Sequence, residues 1–182
     1  MKALKLLMAL FSLSFMQSAV ADLYLEMSVE GGGDKLIDTN TTDQINAGGG
    51  VKFAAGINNW INDDETTGIR LTVGYMFDSI EASNGDADFD TLTFDAMLIK
   101  QSGPHVLGFG GTMHMSPEYK DDVDGFAPLK VEFDDAYGVV VQYGYQFVPG
   151  IELGAKLTKI EYEANNSEVD ADSFGLFISA GF

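Results

Sequence analysis

Residues 114–116 read His-Met-Ser, and in an extended strand a His-x-Ser spacing puts both side chains on one face. A histidine beside a serine is the minimal pairing of a base with a nucleophile, the arrangement that acyl-transfer triads elaborate. Against that chemistry, His114 shares its face with Thr112 and Gly110, and Ser116 is followed by Pro117. The plainer expectation is a histidine turned to the inside of a sheet near its rim.

Two acidic stretches form a second candidate. DADFD carries Asp86, Asp88 and Asp90, and EYKDDVDG carries Glu118, Asp121, Asp122 and Asp124. Carboxylates at such spacings could hold Ca²⁺ or Mg²⁺, but a full Ca²⁺ loop also needs its closing glutamate and its fixed glycine. Neither stretch has both in place, so the expectation is a solvated acidic rim with no metal and no cofactor.

The third constellation is Glu26, Lys52, Arg70, Asp95, Glu152 and Lys156. All six fall on the polar face of segments whose other face is apolar. Charges enclosed inside a protein persist when paired, so these six predict a network of internal salt bridges. In strand order the acids nearest Arg70 are Glu26 and Asp95.

What positions these residues is a period of two. Residues 23–30, 51–58, 69–78, 91–100, 106–115, 136–147, 151–158 and 173–182 alternate between apolar and polar side chains. In 136–147, Tyr137, Val139, Val141, Tyr143, Tyr145 and Phe147 oppose Gly138, Gln142, Gly144 and Gln146. Repeated alternation of this kind predicts strands. The connections at 34–46, 79–90, 116–130 and 163–172 are long and polar, whereas 101–105 and 148–150 are tight and marked by Pro and Gly. The connection around 62–66 is the third short one. Long turns at one end and short turns at the other predict an all-β, eight-stranded antiparallel up-and-down barrel.

Either side of such a barrel could be the apolar one. Gly56, Gly74, Gly108, Gly144, Gly154 and Gly175 all lie on the polar face. Glycine belongs where space is short, and in an eight-stranded barrel that is the lumen. The polar face therefore points inward and the apolar face outward into lipid. The aromatics predict two belts: Trp60, Tyr145, Phe147 and Phe182 at the short-turn rim, and Tyr75, Phe77, Phe94, Tyr137 and Phe174 toward the other.

The N-terminal stretch supplies an address. Lys2 and Lys5 precede an apolar run from Leu6 to Phe15 and then Ala19-Val20-Ala21, the pattern of a cleaved signal peptide over residues 1–21. The barrel domain is then 22–182. Loss of two lysines and no acid takes the formal charge from −18 to −20, which excludes nucleic acid as a partner. The chain has no cysteine, so burial and hydrogen bonding must hold it together.

The last residue, Phe182, completes an apolar stripe with Phe174, Leu176, Ile178 and Ala180. This ending resembles the C-terminal assembly signal of Gram-negative outer-membrane barrels, although Ala180 stands where a larger residue is common. Residues 22–182 resemble the small eight-stranded members: the OmpA transmembrane domain, OmpX and OmpW kinds. The resemblance implies a monomeric outer-membrane protein whose partners are membrane lipid, lipopolysaccharide and the barrel assembly machinery. Within that group it implies a structural or surface-interaction role with acidic extracellular loops, or, as an alternative, an OmpW-like narrow channel for small or apolar solutes. A lipid A-modifying hydrolase is the remaining possibility. Lipid A deacylases are barrels with a His-x-Ser pair, but there the serine precedes an Asn, the pair lies in a closing strand and it acts on the outer wall.

Overall fold

The computed structural model describes residues 21–38, 44–82, 85–123, 127–164 and 167–182. The expected signal peptide falls almost wholly outside them. The strands in chain order are β1 (Ala21–Gly31), β2 (Lys35–Asp38), β3 (Gln44–Asn46), β4 (Gly50–Trp60), β5 (Thr67–Ala82), β6 (Gly85–Ser102) and β7 (His105–Val123). They continue with β8 (Leu129–Glu132), β9 (Ala136–Val148), β10 (Ile151–Lys159), β11 (Glu161–Ala164), β12 (Ser167–Asp170) and β13 (Ser173–Gly181).

Eight of these close into a barrel in the order β6-β5-β4-β1-β13-β10-β9-β7, and β7 pairs back onto β6. All the pairings are antiparallel, and the path is up-and-down. Closure removes the free edges that an open sheet would present. The first and last strands are neighbours, with Met27 opposite Ile178 and Tyr24 opposite Gly181. That ladder runs to the end of the chain: the Phe182 N–H donates to the Leu23 carbonyl at 2.9 Å, and the Leu23 N–H to the Phe182 carbonyl at 3.0 Å.

The wall has its greasy side outward. Leu176 is 60 % exposed, Phe109 59 %, Leu153 56 % and Phe53 51 %, and their neighbours on the same face are comparable. An apolar surface continuing round a whole barrel far exceeds the scattered patches of a water-soluble monomer. The inward face holds the glycines. A side chain at Gly74 would come within 2.9 Å of Lys52 Cε, and one at Gly144 would occupy the place of the Glu152 carboxylate. Glycine on this face makes room for long charged side chains.

The long connections differ from expectation. Residues 79–90 and 116–130 are mostly strand: β5 and β6 stay paired to Ala82 opposite Gly85, and β6 and β7 to Gly85 opposite Val123. Short hairpins β2–β3 and β11–β12 occupy the other two connections, and β8 pairs onto the top of β7. Asp86 and Asp88 are the outward half of an alternation whose inward half is Ala87 and Phe89, both buried. Phe89, Tyr119, Phe133, Ile45, Ile160 and Tyr162 pack there into a second, apolar core that caps this end of the barrel.

Candidate functional site

The six charges singled out in the sequence are all buried inside the barrel, each at most 5 % exposed. They divide into three pairs inside the lumen, two of them bridging one intervening strand and the third spanning the lumen from side to side. Lys52 on β4 meets Asp95 on β6, Nζ to Oδ2 at 2.8 Å. Lys156 on β10 meets Glu26 on β1, with Asp95 Oδ2 3.8 Å from the same Nζ. Arg70 on β5 meets Glu152 on β10, Nη2 to Oε2 at 3.3 Å. Three cations face three carboxylates, so the middle of the lumen is formally neutral.

Arg70 does not pair with Glu26 or Asp95, the acids nearest in strand order. β5 and β10 lie opposite each other in the ring, and a side chain as long as arginine spans a lumen this narrow. Its other two nitrogens are also engaged. Nε donates to Asn58 Oδ1 at 2.9 Å, Nη1 donates to the Tyr24 hydroxyl at 3.0 Å, and the guanidinium lies 3.8 Å over the Tyr24 ring.

Polar neighbours join the pairs into one column. The Tyr24 hydroxyl donates to Glu26 Oε2 at 2.6 Å, Thr112 donates to Asp95 Oδ1 at 2.6 Å, and Gln142 donates to Glu26 Oε2 at 3.3 Å. Above them Ser28 and Ser173 donate to Glu30, each at 2.9 Å. Tyr24, Asn58, Gln142 and Glu30 were not among the expected site residues, though each sits on the inward phase of its strand. Phe177 is the misfit on the polar face of the last strand, and it fills the space over Gly154.

The His-x-Ser pair comes apart. A bulge sets in on β7 where the register shifts between Asp90 and Leu92, and Ser116 takes the left-handed φ of 46°. His114 points inward and is buried against the Tyr162 hydroxyl at 2.6 Å, whereas Ser116 is exposed and donates its N–H to Asp135 at 3.0 Å. The shared face that two-residue spacing implies does not survive the bulge, and Ser116 does not lie beside the base.

Of the acidic candidates, Asp86 and Asp88 line the outer face of β6, with Asp86 opposite Asp122 and Ala87 opposite Asp121. Asp90 is on the same strand, and Asp124 lies outside the described residues. Among the described residues no three carboxylates or histidines gather closely enough to hold a metal ion. Glu118 bonds Lys120 and Lys130, and these hold its carboxyl below its ordinary value. Burial, helped by Asp121, pushes the Tyr119 phenol up to about 12, and burial likewise raises Tyr162 well above its ordinary range.

At the rims, Tyr145, Phe147 and Phe182 are exposed on the outer wall at the short-turn end, as Tyr75, Phe77, Tyr137 and Phe174 are toward the other. Trp60 departs from its belt. It follows the inward phase of β4, packs on Met97, Ile99 and Val140, and donates its indole N–H to Asp22 at 2.8 Å. Phe174, Leu176 and Ile178 form the outer stripe of β13 together with half-buried Ala180.

No protein-family model and no curated protein sequence matches the chain. Solved structures do. Ail, the attachment invasion locus protein of Yersinia pestis, superposes with a TM-score of 0.58 at 10 % identity, covering 91 % of this chain and 100 % of that one. Neisserial surface protein A superposes with a TM-score of 0.55 at 13 % identity, covering 89 % and 97 %. A major outer membrane protein from Thermus thermophilus gives 0.53 at 12 % identity, covering 90 % and 100 %. Closed, antiparallel and eight-stranded, the chain has the fold of the small outer-membrane β-barrels.

Proposed function

We propose that this chain is an integral outer-membrane barrel of structural or surface-interaction type, without enzymatic activity, whose lumen is plugged rather than conducting. The observation that carries the reading is the inversion of the wall: large apolar side chains outside, three complete ion pairs inside. Only a lipid surround makes that distribution favourable, because lipid rewards the apolar wall and the closed barrel satisfies every backbone group it encloses. The short-turn end faces the periplasm in this reading. The capped end, with its outward acids, faces the exterior among lipopolysaccharide headgroups, and the stripe ending in Phe182 is what the assembly machinery engages. The protein acts as a monomer, since closure leaves no sheet edge in the wall.

The lumenal ion pairs and the apolar cap both oppose the narrow-channel alternative, and the separation of His114 from Ser116 opposes hydrolysis of lipid A. Two measurements on the full chain test the proposal. Membrane fractionation is expected to place a heat-modifiable, folded species in the outer membrane. Planar-bilayer recording of the purified protein is expected to give little current. A large, stable, ion-selective conductance would replace the plugged barrel with the channel.

A further inference from the structure

Lys100 is an exception among the cations of this chain, which has 28 acids against 10 lysines and arginines. Lys52, Arg70, Lys120, Lys130, Lys156 and Lys159 each meet a carboxylate. Lys100 is exposed on the outer wall at the short-turn rim, and its ammonium donates to two hydroxyls, Thr66 at 3.3 Å and Thr67 at 3.0 Å. Among the described residues no carboxylate lies within ion-pair reach of it. Asp64 and Glu65, in the adjoining turn, border the lumen mouth instead.

A second, independent observation is an imidazole held on the same face. Leu107 stands opposite Lys100, so His105 is the diagonal neighbour of that lysine. His105 is exposed, yet its Nδ1 lies 2.8 Å from the Tyr143 hydroxyl. Its ring also stacks on Tyr143 and meets Tyr145 edge-on, with centroids 6.0 and 5.4 Å apart. A ring fixed in this way loses little further freedom when a ligand binds. With the Tyr143 hydroxyl donating to Nδ1, the ring proton sits on Nε2, the nitrogen left for a ligand.

What surrounds these donors identifies the ligand. Thr67, Lys100, Leu107 and Tyr143 are successive partners across β5, β6, β7 and β9, so they form one row on the outer face. The next row toward mid-wall is Ile69, Leu98, Phe109 and Val141, all exposed and all apolar. An amphiphile fits that step, with its head on the first row and its chains along the second. Donors on separate strands suit a head with several acceptor oxygens, and an ammonium without its own carboxylate calls for a negative one. We infer that the outer rim at β6, β7 and β9 seats the phosphodiester of a phospholipid, held by Lys100 and by His105 Nε2. The assignment rests on the lipid-facing wall proposed above.

The experiment is native mass spectrometry of the purified full chain in neutral detergent, titrated with phosphatidylglycerol. The expected result is a saturable lipid adduct. Diacylglycerol with the same chains lacks the phosphate, glycerol phosphate lacks the chains, and neither is expected to compete at the same concentration. Lys100→Gln is expected to weaken the adduct about fivefold, the worth of one lysine at a headgroup surface. His105→Phe keeps the ring contacts, loses Nε2 and is expected to weaken it about threefold. Both positions are exposed, so heat-modifiability is expected to stay intact. Lys130→Gln removes the same charge at the opposite end of the barrel and is expected to leave the adduct unchanged. No saturable adduct, equal binding of diacylglycerol, or an equal loss in the Lys130 variant would each overturn the seat. Insertion of the wild type into neutral phosphatidylcholine vesicles tests the wall separately. A chain that inserts while its Lys100 and His105 variants hold the lipid as tightly as the wild type refutes the seat alone, and one that does not insert refutes both.

Discussion

Arg70 Nη2 lies 3.3 Å from Glu152 Oε2, and the two residues stand on strands that are opposite one another in the ring. A bond of this kind ties the barrel across its diameter as well as around its wall. Both side chains are almost fully buried, so neither charge has water to fall back on. Breaking such a pair by removing one partner typically costs about 3–5 kcal/mol, because the other charge is left uncompensated.

Arg70→Leu is therefore expected to lower the unfolding free energy by roughly that amount, read by denaturant titration in detergent. The double variant Arg70→Leu with Glu152→Leu removes both charges and is expected to recover part of the loss. A single variant as stable as the wild type would show that the pair does not constrain the barrel.

The apolar cap at the long-turn end gives a second prediction. Phe89 is fully buried and stacks on Tyr162 with ring centroids 6.1 Å apart. Phe→Ala in a packed core costs about 3–5 kcal/mol. Here that cost falls on the cap, since the lumenal ion pairs lie below it. Phe89→Ala is expected to leave heat-modifiability intact while opening the upper hairpins to protease. Loss of the folded barrel itself would mean that cap and barrel are one cooperative unit.

The eight barrel strands were legible because lipid outside and a crowded polar lumen inside impose the same alternation on every one of them. The inward placement of Glu26, Lys52, Arg70, Asp95, Glu152 and Lys156 follows from phase alone. Phase does not say who meets whom across a lumen: the acids nearest Arg70 in strand order are Glu26 and Asp95, yet its partner is Glu152. The cap was illegible for a different reason. Asp86, Asp88 and Asp90 read as a polar loop, but with the buried Ala87 and Phe89 between them they continue the strand. The bulge at Ser116 left no mark in composition, yet it reverses the phase of β7 and separates His114 from its apparent partner.

A third prediction concerns alkaline pH. Tyr119 ionises at about 12 in the folded cap and near 10 in an unfolded chain, and Tyr162 is raised further still. A raised folded value means that the folded state holds its proton more tightly. The associated stability is complete below pH about 10 and is lost as pH rises toward 12 and beyond. Ultraviolet titration of phenolate is expected to show part of the absorbance change delayed to pH about 12 and beyond, with the cap becoming protease-sensitive over the same interval. Ionisation of every tyrosine near 10 with the cap intact would contradict this.

The last prediction returns to the end of the chain. Phe182 exchanges two backbone hydrogen bonds with Leu23, at 2.9 and 3.0 Å, and these are the final rungs of the ladder that joins the first strand to the last. The residue is 72 % exposed, and its side chain continues the outward phase of the last strand. Deletion of Phe182 removes both the rungs and the ring, whereas Phe182→Ala removes only the ring. The two variants thus separate closure from recognition. If the ring serves the assembly machinery, both are expected to lower the folded, heat-modifiable fraction in the outer membrane, and the alanine variant alone is expected to fold normally from denaturant into detergent. If the rungs matter most, only the deletion shows a defect, and it shows it in detergent as well. Normal folded yield of both variants in cells would remove Phe182 from the assembly of this barrel.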